Sequence, residues 1–213
     1  MKKDMTELVF ILDRSGSMSG LEDDTIGGFN SFVEKQKREK GECLVSTVLF
    51  NNRSSVIHDR VSLDKIEKMT RKEYFASGST ALIDAMGDAI HHISNVHRYI
   101  REEDVPESTI FVIITDGKEN DSHRYSSDEV KKMVSEKKEK GWEFLFLGAN
   151  IDAVETAKHY GIDEDKAVDY CCDEEGIKTN FSVLSQAVSG FRACKKISES
   201  WSDEIKKDYQ RKR

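Results

Sequence analysis

Three short stretches of the 213-residue chain place oxygen-bearing side chains directly beside apolar runs, and these are the residues able to do chemistry. Asp13-Arg14-Ser15-Gly16-Ser17 follows the run Leu8–Leu12, Gly78-Ser79-Thr80 precedes a helical pattern, and Asp116-Gly117 follows the run Thr109–Thr115. In an open parallel sheet, ligands bind beyond the carboxyl ends of the strands, at the point where strand order reverses. If the first and fourth strands are neighbours, the carboxylates of Asp13 and Asp116 and the hydroxyls of Ser15, Ser17 and Thr80 meet at one rim. An all-oxygen donor set with no sulfur or imidazole suits a hard cation that prefers octahedral oxygen coordination, Mg²⁺ or Mn²⁺. Two carboxylates are too few charges for a tight all-protein Ca²⁺ cage. The Ser-Gly-Ser spacing turns alternate side chains inward, and Gly16 is expected to permit the bend.

The elements that must hold these loops follow from hydrophobic period. Leu8–Leu12, Thr109–Thr115 and Trp142–Leu147 are apolar runs rich in branched and aromatic residues, the pattern of strands covered on both faces. Cys43–Phe50 reads as a further strand, Asn51-Asn52 as a turn and the more polar Ser55–Val61 as an antiparallel edge strand; Ala167–Cys172 reads as the last strand. Helical spacing appears in Ile26, Phe29, Phe32 and Val33, over Ala81–Ile100, over Asp128–Lys140, over Ala153–Tyr160 and from Phe181 onward. Alternation of strand and helix predicts an α/β fold: a Rossmann-like, doubly wound, mostly parallel six-stranded sheet with one antiparallel edge strand and helices on both faces. The expected organisation is one domain over 1–213, with a core at about 5–194 and a charged helical tail at 195–213.

Composition narrows the function. The net charge of −7 gives no general attraction for nucleic acid or an anionic membrane, so neither is expected as a partner. Asp13 and Arg14 cut the first apolar run well short of a signal peptide's, and no stretch has the length of a membrane span. Cys43, Cys171, Cys172 and Cys194 contain no Cys-x-x-Cys pair and read as reduced thiols, which points to a cytoplasmic protein.

At the three loops the sequence resembles the von Willebrand factor type A domain. Asp13-x-Ser15-x-Ser17 after a first apolar strand, Gly-Ser-Thr-Ala-Leu-x-Asp at residues 78–84 opening a helix, and Ile-Thr-Asp-Gly at 114–117 after a later strand match the family's three metal-site loops in order. The resemblance implies a metal-ion-dependent adhesion site (MIDAS) in which Asp13, Ser15 and Ser17 lie on the first loop, Thr80 on the second and Asp116 on the third. The two serines would bind Mg²⁺ or Mn²⁺ directly, and the threonine and aspartates directly or through water. It covers Glu7 to about Asn150 and is closer to compact bacterial single-domain versions than to extracellular adhesion receptors. The implied activity is protein binding, with an Asp or Glu of an unidentified partner reaching the metal, and no catalysis.

Other readings compete. An Asp ending a first strand is also where haloacid-dehalogenase-like phosphatases and phosphotransferases place a nucleophile, but their second Asp two positions on is Ser15 here. A passive scaffold whose metal only ties loops together is the third reading. Thr80 could serve as a helix N-cap and Asp84 as a helix-dipole partner, while Asn120 and Asp121, near the metal rim, read first as solvated loop residues and second as contacts that support the metal ligands. His91 and His92 point about 100° apart on a helix and are expected to pack or face solvent, as is His97. Ile197, Trp201, Ile205 and Tyr209 recur every four residues, so the final helix is expected to continue and pack back on its own domain, with a dimer or partner contact as the alternative.

Overall fold

Twelve elements of regular structure form because the apolar runs pair edge to edge while the amphipathic segments between them cover the two faces. The computed structural model describes residues 1–213. In chain order the elements are β1 (Lys2–Asp13), α1 (Glu22–Gln36), β2 (Glu42–Phe50), β3 (Ser54–Ser62), α2 (Leu82–Tyr99), β4 (Pro106–Thr115), α3 (Ser127–Lys138), β5 (Trp142–Gly148), α4 (Ala153–His159), β6 (Ala167–Asp169), α5 (Glu174–Cys194) and α6 (Asp203–Lys212). The sheet order is β3-β2-β1-β4-β5-β6, with β3 antiparallel and the other strands parallel, as the alternation predicts. The chain builds outward from β1 through β2 to β3, then returns to the other side of β1 with β4. The reversal of strand order therefore falls between β1 and β4.

Both faces of β1 are buried, and its alternate residues serve two separate cores. Leu8, Phe10 and Leu12 pack with α1, α5 and α6, while Val9 and Ile11 pack with α2 and the strand residues beneath α3 and α4. Phe10 meets Phe29 and Phe32 of α1 edge-on at 5.4 and 5.0 Å, the arrangement favoured by ring quadrupoles. Glu22, Asp23 and Asp24 occupy the first turn of α1, where the helix dipole favours negative charge.

Two boundaries differ from expectation. β6 ends at Asp169 rather than Cys172, because Asp173 turns the chain into α5 by accepting a hydrogen bond from Gly176 N–H at 2.7 Å. α5 consequently starts at Glu174, well before Phe181. At its other end Lys195 adopts the left-handed conformation (φ 57°), so the helix stops there instead of continuing through the tail. The chain folds back, and Ile197, Trp201 and Ile205 enter the same core as Phe10 and Phe191, leaving only Tyr209 of the four-residue stripe half-buried. The stripe thus packs back on its own domain. Trp201 Nε1–H also donates to the Asp165 carbonyl at 2.7 Å. All four cysteines are free, and no helix is long and apolar enough to cross a membrane.

Because Trp201 is an anchor of this core, Trp201→Ala is expected to lower the unfolding free energy by about 3–5 kcal/mol, read from urea denaturation. A loss within about 0.5 kcal/mol would show that the tail is dispensable.

Candidate metal centre

Parallel pairing puts Leu12 of β1 opposite Ile114 of β4, so the next residues, Asp13 and the Thr115–Asp116 pair, emerge side by side at the carboxyl edge. The Asp13 carboxylate accepts hydrogen bonds from Ser15 N–H at 2.7 Å and from the Thr115 hydroxyl at 2.6 Å. Asp116 accepts one from the Ser17 hydroxyl at 2.6 Å, and the Ser15 and Ser17 oxygens lie 3.0 Å apart. Asp13, Ser15, Thr80 and Asp116 are buried, while Ser17 is exposed at the rim. A methyl group built on Gly117 would lie 3.6 Å from Ser17 Oγ and 3.9 Å from Thr80 Oγ1, so the hydroxyl of the second loop comes to the same spot as the other two loops. All five residues singled out in the sequence thus converge.

The loops are fixed by backbone bonds and by caps. Gly16 N–H donates to the Gly78 carbonyl at 2.9 Å, and Ser77 N–H donates to the Arg14 carbonyl at 2.9 Å, joining the first and second loops. Gly16 does not take a left-handed conformation, so the bend itself does not demand glycine; a Cβ there would sit 3.2 Å from the Gly78 oxygen, and this close approach explains the residue. The Tyr74 hydroxyl reaches under the site to the Asp13 carbonyl at 2.5 Å.

Several side chains do more than expected. α2 begins at Leu82 with Ala81 in the capping position, so Thr80 is not the N-cap. The third loop caps α2 instead, with Glu119 accepting from Ile83 N–H at 2.9 Å and Ser122 Oγ from Asp84 N–H at 3.0 Å. Asn120 is not merely solvated: its side-chain oxygen accepts Thr80 N–H at 2.9 Å and its own N–H donates to the Thr80 carbonyl. Asp121 accepts the Ser79 hydroxyl at 2.5 Å. Asp84 adds a second task to its place in the first turn of α2, because its carboxylate accepts N–H bonds from His123, Arg124 and Tyr125 at 2.9–3.0 Å. Burial alone would raise its pKa, yet those three bonds and Arg124 hold it below the ordinary carboxylate value. A carboxylate one turn inside a helix, followed by a polar loop some forty residues later, is only a weak sequence signal for such a clasp.

Charge is the decisive property of the centre. Burial pushes Asp13 above the ordinary carboxylate range against its hydrogen bonds, and it does the same to Asp116. Neither forms an ion pair, although the chain's other deeply buried acid on β1, Glu7, is held by Arg60 at 2.9 Å and His97 at 3.2 Å. Two desolvated carboxylates facing three hydroxyls without a cationic side chain are a donor set that fits a divalent cation. No three His, Cys, Asp or Glu side chains are arranged so that they could hold a metal ion together, so the hydroxyls are needed to complete this donor set. His92 instead pairs with Asp59 and His97 packs edge-on against Trp142, while His91 is exposed.

Comparison with known proteins agrees with the fold. The family model for the von Willebrand factor type A domain matches residues 7–175. Similar solved structures include proximal thread matrix protein 1 from the mussel byssus in a form with a zinc-occupied MIDAS motif (15% identity, TM-score 0.57, 87% of this chain and 46% of that one). A von Willebrand factor type A protein from Catenulispora acidiphila is similar at 15% identity and TM-score 0.58, over 87% of this chain and 42% of that one. Manganese-loaded TRAP protein of Plasmodium vivax is similar at 18% identity and TM-score 0.54, over 76% of this chain and 62% of that one. This chain thus spans less than half the length of the mussel and Catenulispora proteins, and at these identities the likeness is one of fold. No curated protein matches the sequence.

Asp84→Asn is expected to destabilise the protein by about 1.5–3 kcal/mol at neutral pH, because it weakens charge-assisted bonds to three backbone donors. With a folded pKa below the ordinary value, the contribution is present above about pH 4 and disappears as pH falls through the depressed value. Urea denaturation of both proteins across pH checks it; a gap that widens on acidification contradicts the clasp.

Proposed function

The chain belongs to the von Willebrand factor type A domain family, and from that premise we propose that it is a metal-dependent protein-binding module which captures an acidic side chain of a partner. The observation that carries this reading is the pair of buried carboxylates, Asp13 and Asp116, with no counter-charge in the protein. Asp13, Ser15, Ser17, Thr80 and Asp116 would hold Mg²⁺ or Mn²⁺. The bound cation would supply an electrophilic position open to one further anion, since two carboxylates only balance its charge. The zinc-occupied MIDAS motif of the mussel protein and the manganese-loaded TRAP protein, which share the fold, support the reading that the site takes a divalent ion.

The chain's own residues prepare the encounter surface. The Asp13 carboxylate is held by two buried hydrogen bonds, one of them from Ser15 N–H, so this donor is already in place before the site fills. Phe75 is half exposed beside the first loop, and the Arg14 guanidinium lies 4.9 Å over its ring. An exposed aromatic with an arginine is the composition of an interface anchor, and here it borders the centre. Ser15 stands where a haloacid-dehalogenase-like enzyme would need its second carboxylate, so these residues support binding rather than phosphoryl transfer. The partner is read as a protein rather than nucleic acid or membrane, and the compartment as cytoplasmic.

Titration calorimetry with Mg²⁺ is expected to show one site in the wild type and none in Asp13→Ala. Mg²⁺ at about a hundred times its Kd should stabilise the wild type by about 2.7 kcal/mol and Asp13→Ala not at all. Chelation should leave the far-UV circular dichroism almost unchanged, because both cores close without the site. Collapse of that spectrum would instead favour the scaffold reading. Phosphoesterase turnover lost in Asp13→Asn with Mg²⁺ binding retained would overturn the module in favour of an enzyme.

A further inference from the structure

A cavity of about 680 Å³ opens beside the metal centre, between the loops that follow β4, β5 and β6. It is contiguous with the rim. Cys172, in its wall, donates its S–H to the Asp116 carboxylate at 3.8 Å, and Asn150 Nδ2–H donates to the Asp116 carbonyl at 3.1 Å. Lys118, two residues after Asp116, stands at its edge, and Ile151 and Tyr170 contribute apolar surface.

The outer wall is Tyr209 of α6, a helix beyond the residues 7–175 matched by the family model. The trough therefore takes one of its walls from outside the residues the family model matches. α6 is not loosely placed, since Trp201 and Ile205 are buried in the core and Lys212 bridges to Asp173 at 2.9 Å and to Glu175 of α5 at 3.2 Å. A wall anchored in this way forms before any ligand arrives.

Charge indicates the occupant. Two acids also line the trough and offset its two cations in formal charge, but both are tied to the start of α4, Asp152 by accepting Glu155 N–H at 2.9 Å and Asp169 by accepting Ala153 N–H at 3.0 Å, which leaves the long Lys118 side chain free to reach a ligand. The Arg213 guanidinium lies 4.7 Å over the Tyr209 ring. Lys118 is exposed and forms no ion pair, so its charge is available to an incoming anion. The volume lies within the range of about 300–1,000 Å³ typical of ligand pockets, enough for side chains of a peptide.

We propose that this trough is the second half of the partner-binding surface and takes a second acidic side chain of the same partner segment, with its carboxylate at Lys118 and the intervening chain over Ile151, Cys172 and Tyr209. The proposal rests on the reading that the first carboxylate is taken at the Asp13–Asp116 rim. It makes the preferred partner a di-acidic segment, and the two carboxylates are recognised by different means, one through the cation and one through a lysine.

Random peptides displayed on phage, selected on the full chain in Mg²⁺ and again in chelator, supply the probes. The expected selection in Mg²⁺ is peptides with two acidic residues. Replacing the second acid with Ala should weaken binding about five- to tenfold on the wild type and leave it unchanged on Lys118→Ala, a double-mutant cycle that isolates the contact. Peptides with a single acidic residue that still require Mg²⁺, or an equal loss on both proteins, overturn the trough and leave the metal reading standing. Di-acidic peptides that keep the Lys118 coupling but bind equally in chelator support the trough and overturn the metal reading. No acidic enrichment in either condition overturns both.

Discussion

The parallel pairing of β1 with β4 brings Asp13 and Asp116 together after long apolar runs, at an edge where neither finds a basic neighbour. Everything at this end of the molecule answers to that unresolved charge. Each carboxylate is surrounded by hydroxyl and N–H donors, which lower the cost of burial but cannot replace an opposite charge. Glu7, nearer the other end of the same strand, is the internal contrast. It is just as buried, yet Arg60 turns inward at a left-handed position (φ 50°) to meet it, with His97 from α2 on its other side. The fold can supply a counter-charge to a buried acid on β1, and at Asp13 it does not.

The surrounding structure is built to hold that arrangement open. The three loops are connected by N–H to carbonyl bonds between Gly16 and Gly78 and between Asn120 and Thr80, and the third loop is clasped to α2 through Glu119, Ser122 and Asp84. These contacts lie outside the ring of candidate donors, so they position the donors without consuming them. Thr80 shows the principle most clearly. Its backbone N–H and carbonyl are both occupied by Asn120, while its hydroxyl faces the same space as Ser17. Capping of α2 by a distant loop has the same effect, since a local cap would have drawn a second-loop hydroxyl into the helix end.

Much of this was legible in the residues themselves, for identifiable reasons. Buried parallel strands read as continuous apolar runs, so β1, β4 and β5 stand out, and the donors sit at fixed offsets after them. What the sequence concealed depends on contacts across long separations. Asp84 and Asn120 are ordinary polar residues until the loop after β4 folds over the start of α2, and no local spacing encodes that approach. The end of β6 was hidden by Tyr170-Cys171-Cys172, which continues the apolar pattern of a strand although Asp173 has already set the turn into α5. The stop at Lys195 carries no Gly or Pro, the usual signals of a helix end. Gly16 shows the opposite case, a correctly chosen residue with a different reason: space beside the Gly78 carbonyl rather than freedom of φ.

The last segment links stability to function through one packing decision. Had α5 run on, the stripe of Ile197, Trp201, Ile205 and Tyr209 would have extended away from the sheet and exposed an apolar face. Because the chain reverses at Lys195, the first three close the core against α5, and the fourth arrives at the carboxyl edge beside Cys172. Tyr209 owes its place to Trp201 and Ile205, neither of which touches the cavity. The residues that hold the wall are thus separate from the residue that faces the cavity. Tyr209 and Lys118 can therefore change without loosening the core, and the trough can change its lining while the Asp13–Asp116 rim keeps its geometry.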